Sequence, residues 1–129
     1  MTTEMNHARE QAQRQLESIQ AMVNALATAT TDEQREAAEQ VIHEDPLEVL
    51  VRSPWHAVGD AVQSDSEFLI LLCTGGPAVR LIGTLSEHQE PETVQLEYQD
   101  WGTPWTEYII TDAEQSACLT YAQQFSFAG

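Results

Sequence analysis

The stretch Phe68–Leu85 decides the fold, and its sequence is FLILLCTGGPAVRLIGTL. Two apolar runs flank a Gly-Gly-Pro triplet at 75–77, which favours a tight turn because glycine tolerates positive φ and proline ends strand pairing. The first run is apolar at every position, which predicts a strand covered on both faces. In the second run Val79 and Leu81 alternate with Arg80, which predicts a strand with the arginine facing outward. The stretch therefore predicts a β-hairpin.

Further strands and a helix follow this hairpin. Residues Thr93–Trp101 alternate between apolar and polar side chains, and Trp105–Ile110 follows a Gly-Thr-Pro turn, so each segment predicts a strand. Thr111 stands three residues before Glu114, which is the pattern of a capping box. We therefore expect a final helix from Thr111 to Phe125.

The chain before the hairpin predicts two helices and one more strand. Apolar residues recur at helical spacing between Thr3 and Ala27, and they are Ala12, Leu16, Ile19, Val23 and Leu26. A second helix follows a capping-box pattern, either Thr31 with Gln34 or Thr30 with Glu33, and ends at Pro46. Alternation at 47–52 then predicts a half-buried strand. The whole chain, 1–129, is predicted to be a single α+β domain: an N-terminal helical hairpin, an antiparallel β-meander of four to five strands and a C-terminal helix.

The charge of the chain is strongly one-sided. Twenty-one acidic residues face five arginines and no lysine, which gives a formal net charge of -16. Residues 53–129 carry eleven of the acids and only one basic residue, Arg80. Such a surface repels phosphate backbones and attracts basic surfaces, so we expect a protein partner with a basic nucleic-acid-binding surface and no direct nucleic-acid binding.

Nothing in the sequence predicts catalysis, a metal or a cofactor. The glycines at 75–76 lack the Lys-Ser/Thr pair of a phosphate loop, and the four histidines are dispersed without ligand spacing. Cys73 and Cys118 lie in apolar segments, which favours buried, reduced thiols over nucleophiles or a disulfide. No segment resembles a signal peptide or a membrane span, so we expect a cytoplasmic protein that is not an enzyme.

The densest aromatic and acidic cluster is Leu96–Tyr108, with the sequence LEYQDWGTPWTEY. Its tryptophans either seal the sheet against a helix or form a recognition surface, since tryptophan and tyrosine dominate binding hot spots. Carboxylates two residues apart on a strand lie about 6–7 Å from each other, a spacing similar to that of successive phosphates. The candidate partner-binding residues are Glu90, Glu92, Glu97, Asp100, Trp101, Trp105 and Glu107.

Two of these segments, Phe68–Leu85 and Leu96–Tyr108, resemble a family of small acidic accessory proteins of bacterial plasmids, integrative elements and phages. A weaker likeness covers Pro46–Trp55 and Tyr121–Phe127. Accessory proteins of this class include inhibitors of host defence, both anti-CRISPR and anti-restriction proteins. The resemblance therefore implies an inhibitor, and it assigns no active-site residues.

The leading hypothesis is an anti-CRISPR inhibitor whose acidic surface imitates nucleic acid and binds a basic channel of the effector. An alternative is an adaptor that forms a homodimer through its N-terminal helices, with Leu16, Ile19, Val23 and Leu26 as the seam and the acidity serving only solubility. A third is a housekeeping domain whose acidity is only an adaptation for solubility or for high salt. A concentrated acidic face would favour the inhibitor, and evenly spread charge would favour the third hypothesis.

Overall fold

Three helices and one five-stranded antiparallel sheet make up the protein. The structure is a computed structural model that describes residues 3–61 and 65–127. The elements in chain order are α1 (Thr3–Ala27), α2 (Asp32–Glu44), β1 (Glu48–Arg52), β2 (Glu67–Cys73), β3 (Ala78–Thr84), β4 (Gln95–Gln99), β5 (Thr106–Tyr108) and α3 (Asp112–Ala122). The strands lie in the order β1-β2-β3-β4-β5, each antiparallel to the next. The predicted α+β class and the β-meander are confirmed.

Side-chain hydrogen bonds cap the N-termini of α2 and α3. The Thr31 hydroxyl accepts from the Gln34 amide, and the Gln34 side chain accepts from the Thr30 amide at 2.8 Å. At the start of α3, Thr111 and Glu114 form the full reciprocal capping box. Each cap satisfies backbone donors that a first helical turn otherwise leaves unpaired.

The core lies on one face of the sheet, under α1 and α3. Phe68, Ile70 and Leu72 of β2 are buried, as are Val79 and Leu81 of β3. Helix α1 packs against β3, β4, α2 and α3. The predicted inward side chains of β3 are confirmed, and Arg80 faces the opposite side of the sheet.

The apolar stripe of α1 belongs to this core. Ala12, Leu16 and Ile19 are at most 2 % exposed, and Val23 and Leu26 are partly buried against the same cluster. These contacts occupy the side chains that a helical dimer seam needs. The stripe is therefore used within the chain.

Two expectations about the strands are wrong, because the helices cover only one face and do not extend over the whole sheet. Burial in β2 alternates, so that Leu69 and Leu71 are only partly buried on the second face instead of being covered like their neighbours. Strand β1, expected to be half-buried, is exposed along its whole length. Among the described residues, no helix is long and apolar enough to cross a membrane.

Close packing at Gly83 gives the first test of this fold. A Cβ there would overlap the Thr93 carbonyl oxygen and lie 2.8 Å from two atoms of the Phe68 ring. We expect Gly83→Ala to lower the free energy of unfolding by about 1–3 kcal/mol, because the backbone at Thr93 and the Phe68 ring must both shift. Urea denaturation measures the change, and an unfolding midpoint equal to that of the wild type would contradict the packing.

Candidate functional site

The centre of the predicted recognition surface is a compact arginine cluster. Arg80 on β3 stands opposite Glu97 on β4, and its Nε and Nη2 atoms lie 2.8 and 2.7 Å from Glu97 Oε1. The guanidinium carbon of Arg80 lies 4.0 Å from the centroid of the Trp105 ring, a cation–π distance. Only 21 % of the Arg80 side chain and 12 % of the Glu97 side chain remain exposed. The pairing with Arg80 offsets the charge of Glu97, and its burial removes most of that carboxylate from the exposed surface.

Asp100 also has a structural role, in the turn between β4 and β5. Its carboxylate accepts from the Trp101 amide at 2.8 Å, while its own amide donates to the Thr103 hydroxyl at 3.0 Å. Gly102 has φ +72°, which only glycine adopts without strain at this point of the turn. Asp100 is buried, so its carboxylate shapes the turn.

The turn holds its two tryptophans in different environments. Trp101 is 81 % exposed at the tip, whereas Trp105 is partly buried on Arg80. Neither position is that of a tryptophan sealed between the sheet and a helix, and the recognition surface stays a prediction. Trp105 lies against Arg80 on the second face of the sheet, and Trp101 is exposed at the tip of the turn.

The remaining predicted acids, Glu90, Glu92 and Glu107, are exposed, and of these only Glu107 lies beside the arginine cluster. Glu90 and Glu92 are in the connection between β3 and β4, next to the start of β4, while Asp100 and Trp101 follow its end. A strand of five residues separates these two groups by about 16 Å. Glu107 pairs with Glu97 across β4 and β5, between the two groups. The seven predicted residues therefore fall into three separate groups. The central group holds Glu97, Trp105 and Glu107, and it lies between Glu90 with Glu92 and Asp100 with Trp101.

A cavity of about 600 Å³ lies over the uncovered face of the sheet. Its floor includes three apolar side chains in one cross-strand row, Leu50, Leu69 and Ile82. Arg80 and Glu107 line the same cavity. The unbroken apolar run of β2 is the sequence signal for this second apolar face, but the run alone does not show that the three strands align their apolar side chains there.

The exposed ion pair of the sheet is Arg52 with Glu67. Arg52 Nε lies 2.7 Å from Glu67 Oε2, and Nη2 lies 3.1 Å from Oε1. The hydrogen bond from Arg52 lowers the pKa of Glu67. Both arginines of the sheet are thus paired with carboxylates of their own chain.

The thiols lack the environment of a nucleophile. Burial, with the Glu114 charge as a smaller cause, raises the pKa of Cys118 from 9.0 to about 12. Burial also raises the pKa of Cys73. No group of three or more His, Cys, Asp and Glu side chains suited to a metal comes together in the part of the chain that the structure describes.

The thiol of Cys118 should resist alkylation. A pKa raised from 9.0 to about 12 leaves very little thiolate at pH 8, and burial slows access of the reagent further. We expect iodoacetamide to modify Cys118 only after unfolding in urea, as followed by peptide mass spectrometry. Modification of the folded protein at the rate of a free cysteine peptide would contradict this environment.

Breaking the arginine cluster should be costly. We expect Arg80→Met to lower the free energy of unfolding by about 3 kcal/mol, because Glu97 is left as an unpaired, largely buried charge. Adding Glu97→Gln should recover part of the loss, since the amide carries no charge. Denaturation of the two single variants and the double variant gives the coupling energy of the pair.

Arg52→Met is the matched control for the cluster. Its ion pair is exposed, so solvent screens it and the loss of stability should be far smaller than that of Arg80→Met. Equal losses at Arg80 and Arg52 would show that burial of the Arg80–Glu97 pair has no energetic consequence.

Comparisons with known proteins give no relative for this chain: no family model, no curated protein and no solved structure matches it.

Proposed function

We propose that the protein is a non-enzymatic inhibitor of a host defence system, encoded by a mobile element and acting as an anti-CRISPR protein. Its acidic surface occupies a basic, nucleic-acid-binding channel of the effector and excludes the nucleic acid. The resemblance at Phe68–Leu85 and Leu96–Tyr108 supports the mobile-element origin. The mechanism follows from the charges described above.

The observation that carries the proposal is the pairing of Arg80. Arg80 is the one lysine or arginine after residue 52, and its side chain is held on the sheet by Glu97 and Trp105. Six acids of this half are exposed: Asp60, Glu87, Glu90, Glu92, Glu107 and Asp112. Among the residues that the structure describes, none of them forms an ion pair with an arginine. His88 lies 3.4 Å from Glu87 and offsets that charge only when protonated. The resulting negative potential suits a surface rich in lysine and arginine.

The exposed tryptophan at the β4–β5 turn supports a protein partner. A side chain that is 81 % exposed gains most from burial when a pocket of another molecule receives it. Trp101 also stands on a rigid base, because its amide is fixed by the Asp100 carboxylate. It would act as an apolar anchor while the carboxylates contact basic side chains.

Charge reversal at the exposed acids tests the proposal. We expect Glu90→Lys/Glu92→Lys/Glu107→Lys to lower affinity for the effector by about tenfold or more, because three attractive contacts become repulsive. The tagged protein recovers its partner from a lysate of bacteria that carry a CRISPR system, and affinity is then measured with the purified complex. Affinity of the unaltered protein should also fall steeply between about 50 and 500 mM salt.

The matched control reverses three exposed acids of the helices, Glu17, Glu33 and Glu36, and so changes the net charge equally. We expect it to keep most of the affinity. Equal losses of affinity in both variants would mean that binding depends only on net charge. An affinity that does not change with salt would refute nucleic-acid mimicry. Trp101→Ala should weaken binding without changing the unfolding midpoint, since the side chain is exposed.

A further inference from the structure

Strand β1 presents an unpaired edge to solvent. It lies at one end of the sheet, and within residues 3–61 and 65–127 it pairs only with β2, so no described strand lies beside its outer backbone groups. Its three apolar residues, Val49, Leu50 and Val51, are between 36 and 45 % exposed. Such an edge is a template for pairing with another chain, and proteins usually protect it with lysine, proline or a bulge inside the strand.

The surroundings of β1 add apolar surface to the edge. Leu47, just before the strand, is 63 % exposed, and Trp55 and Val58, just after it, are fully exposed. Six of the nine exposed large apolar residues of the described chain lie in the segment 47–58. Their concentration around one edge strand indicates an interface.

The sequence of β1 is complementary to itself when it runs antiparallel. A two-fold axis at Leu50 places Val49 opposite Val51 and Glu48 opposite Arg52 of a second copy. The same axis places Pro46 opposite Pro54, so that both prolines lie just outside the paired segment 47–53. An axis at Val49 instead places Pro46 opposite Arg52 and Glu48 opposite Leu50. An axis at Val51 places Pro54 opposite Glu48 and Arg52 opposite Leu50. The Leu50-centred register is therefore favoured by both charge and backbone chemistry.

The charged ends of the strand suit this register. Arg52 already pairs with Glu67 of its own chain on one side, and the other side faces outward from the sheet. Glu48 has no ion-pair partner among the residues that the structure describes. Pairing of two copies would place each Arg52 between two carboxylates and give each Glu48 a partner.

From this geometry we infer that two copies of the chain associate through β1 and form one continuous ten-stranded antiparallel sheet. The two uncovered faces then join, and the apolar row of Leu50, Leu69 and Ile82 continues across the two-fold axis. Helix α1, whose stripe is buried in the core, takes no part in this interface. The inference is independent of the proposed function.

A charge-swap experiment tests the interface and its register. Sedimentation equilibrium should show a dimer for the unaltered protein, and each of Glu48→Arg and Arg52→Glu should weaken it by about tenfold or more. In each single variant, charges of the same sign face each other across the axis. Mixing the two variants restores both opposite-charge pairs, so native mass spectrometry should show a mixed dimer in preference to either homodimer.

The controls separate this interface from other forms of association. Circular dichroism checks that both variants fold, which we expect because the two side chains are exposed. The single variant Glu17→Arg, on the exposed side of α1, should dimerise like the unaltered protein. A monomer at about 100 µM, or a dimer that neither swap weakens, would overturn the inference. So would the absence of preference for the mixed dimer.

Discussion

The packing of α1 across β3 and β4 is the constraint on which the rest of the molecule depends. Its residues Ala8, Ala12, Leu16 and Ile19 are buried in the core, and the helix contacts both the sheet and α3. One long helix and one short helix can cover only part of a five-stranded sheet. The second face and the strand at one end are therefore left to solvent or to other molecules.

This one-sided cover explains how the acidic chain uses its few arginines. On a face without helices, a long side chain can lie flat and shield apolar atoms beneath it. Arg80 does this between Glu97 and Trp105, and Arg52 does it less completely beside Glu67. Because these pairs satisfy the cations locally, the loops and turns around the sheet keep their negative charge. The fold thus separates charges that stabilise the sheet from charges that face outward.

Much of the fold follows from local sequence patterns. The alternation around Arg80, the Thr111–Glu114 box and the glycine turns each act within a few residues, and local rules predict them well. Three features were missed because they depend on distant parts of the chain. The exposure of β1 depends on which strands α1 covers. The burial of Glu97 depends on the pairing of β3 with β4, whose register places Arg80 opposite Glu97. The buried Asp100 needs the hydroxyl of Thr103, which a count of carboxylates does not take into account.

The three tryptophans lie in three different environments, which fluorescence can distinguish. Trp55 stands free beside the β1 edge, Trp101 stands free on the β4–β5 turn, and Trp105 alone lies against a cation. Their indole emissions should therefore differ, with Trp105 the least accessible to a neutral quencher such as acrylamide. A protein of 129 residues thus carries a separate fluorescent reporter at its strand edge, its exposed turn and its arginine cluster.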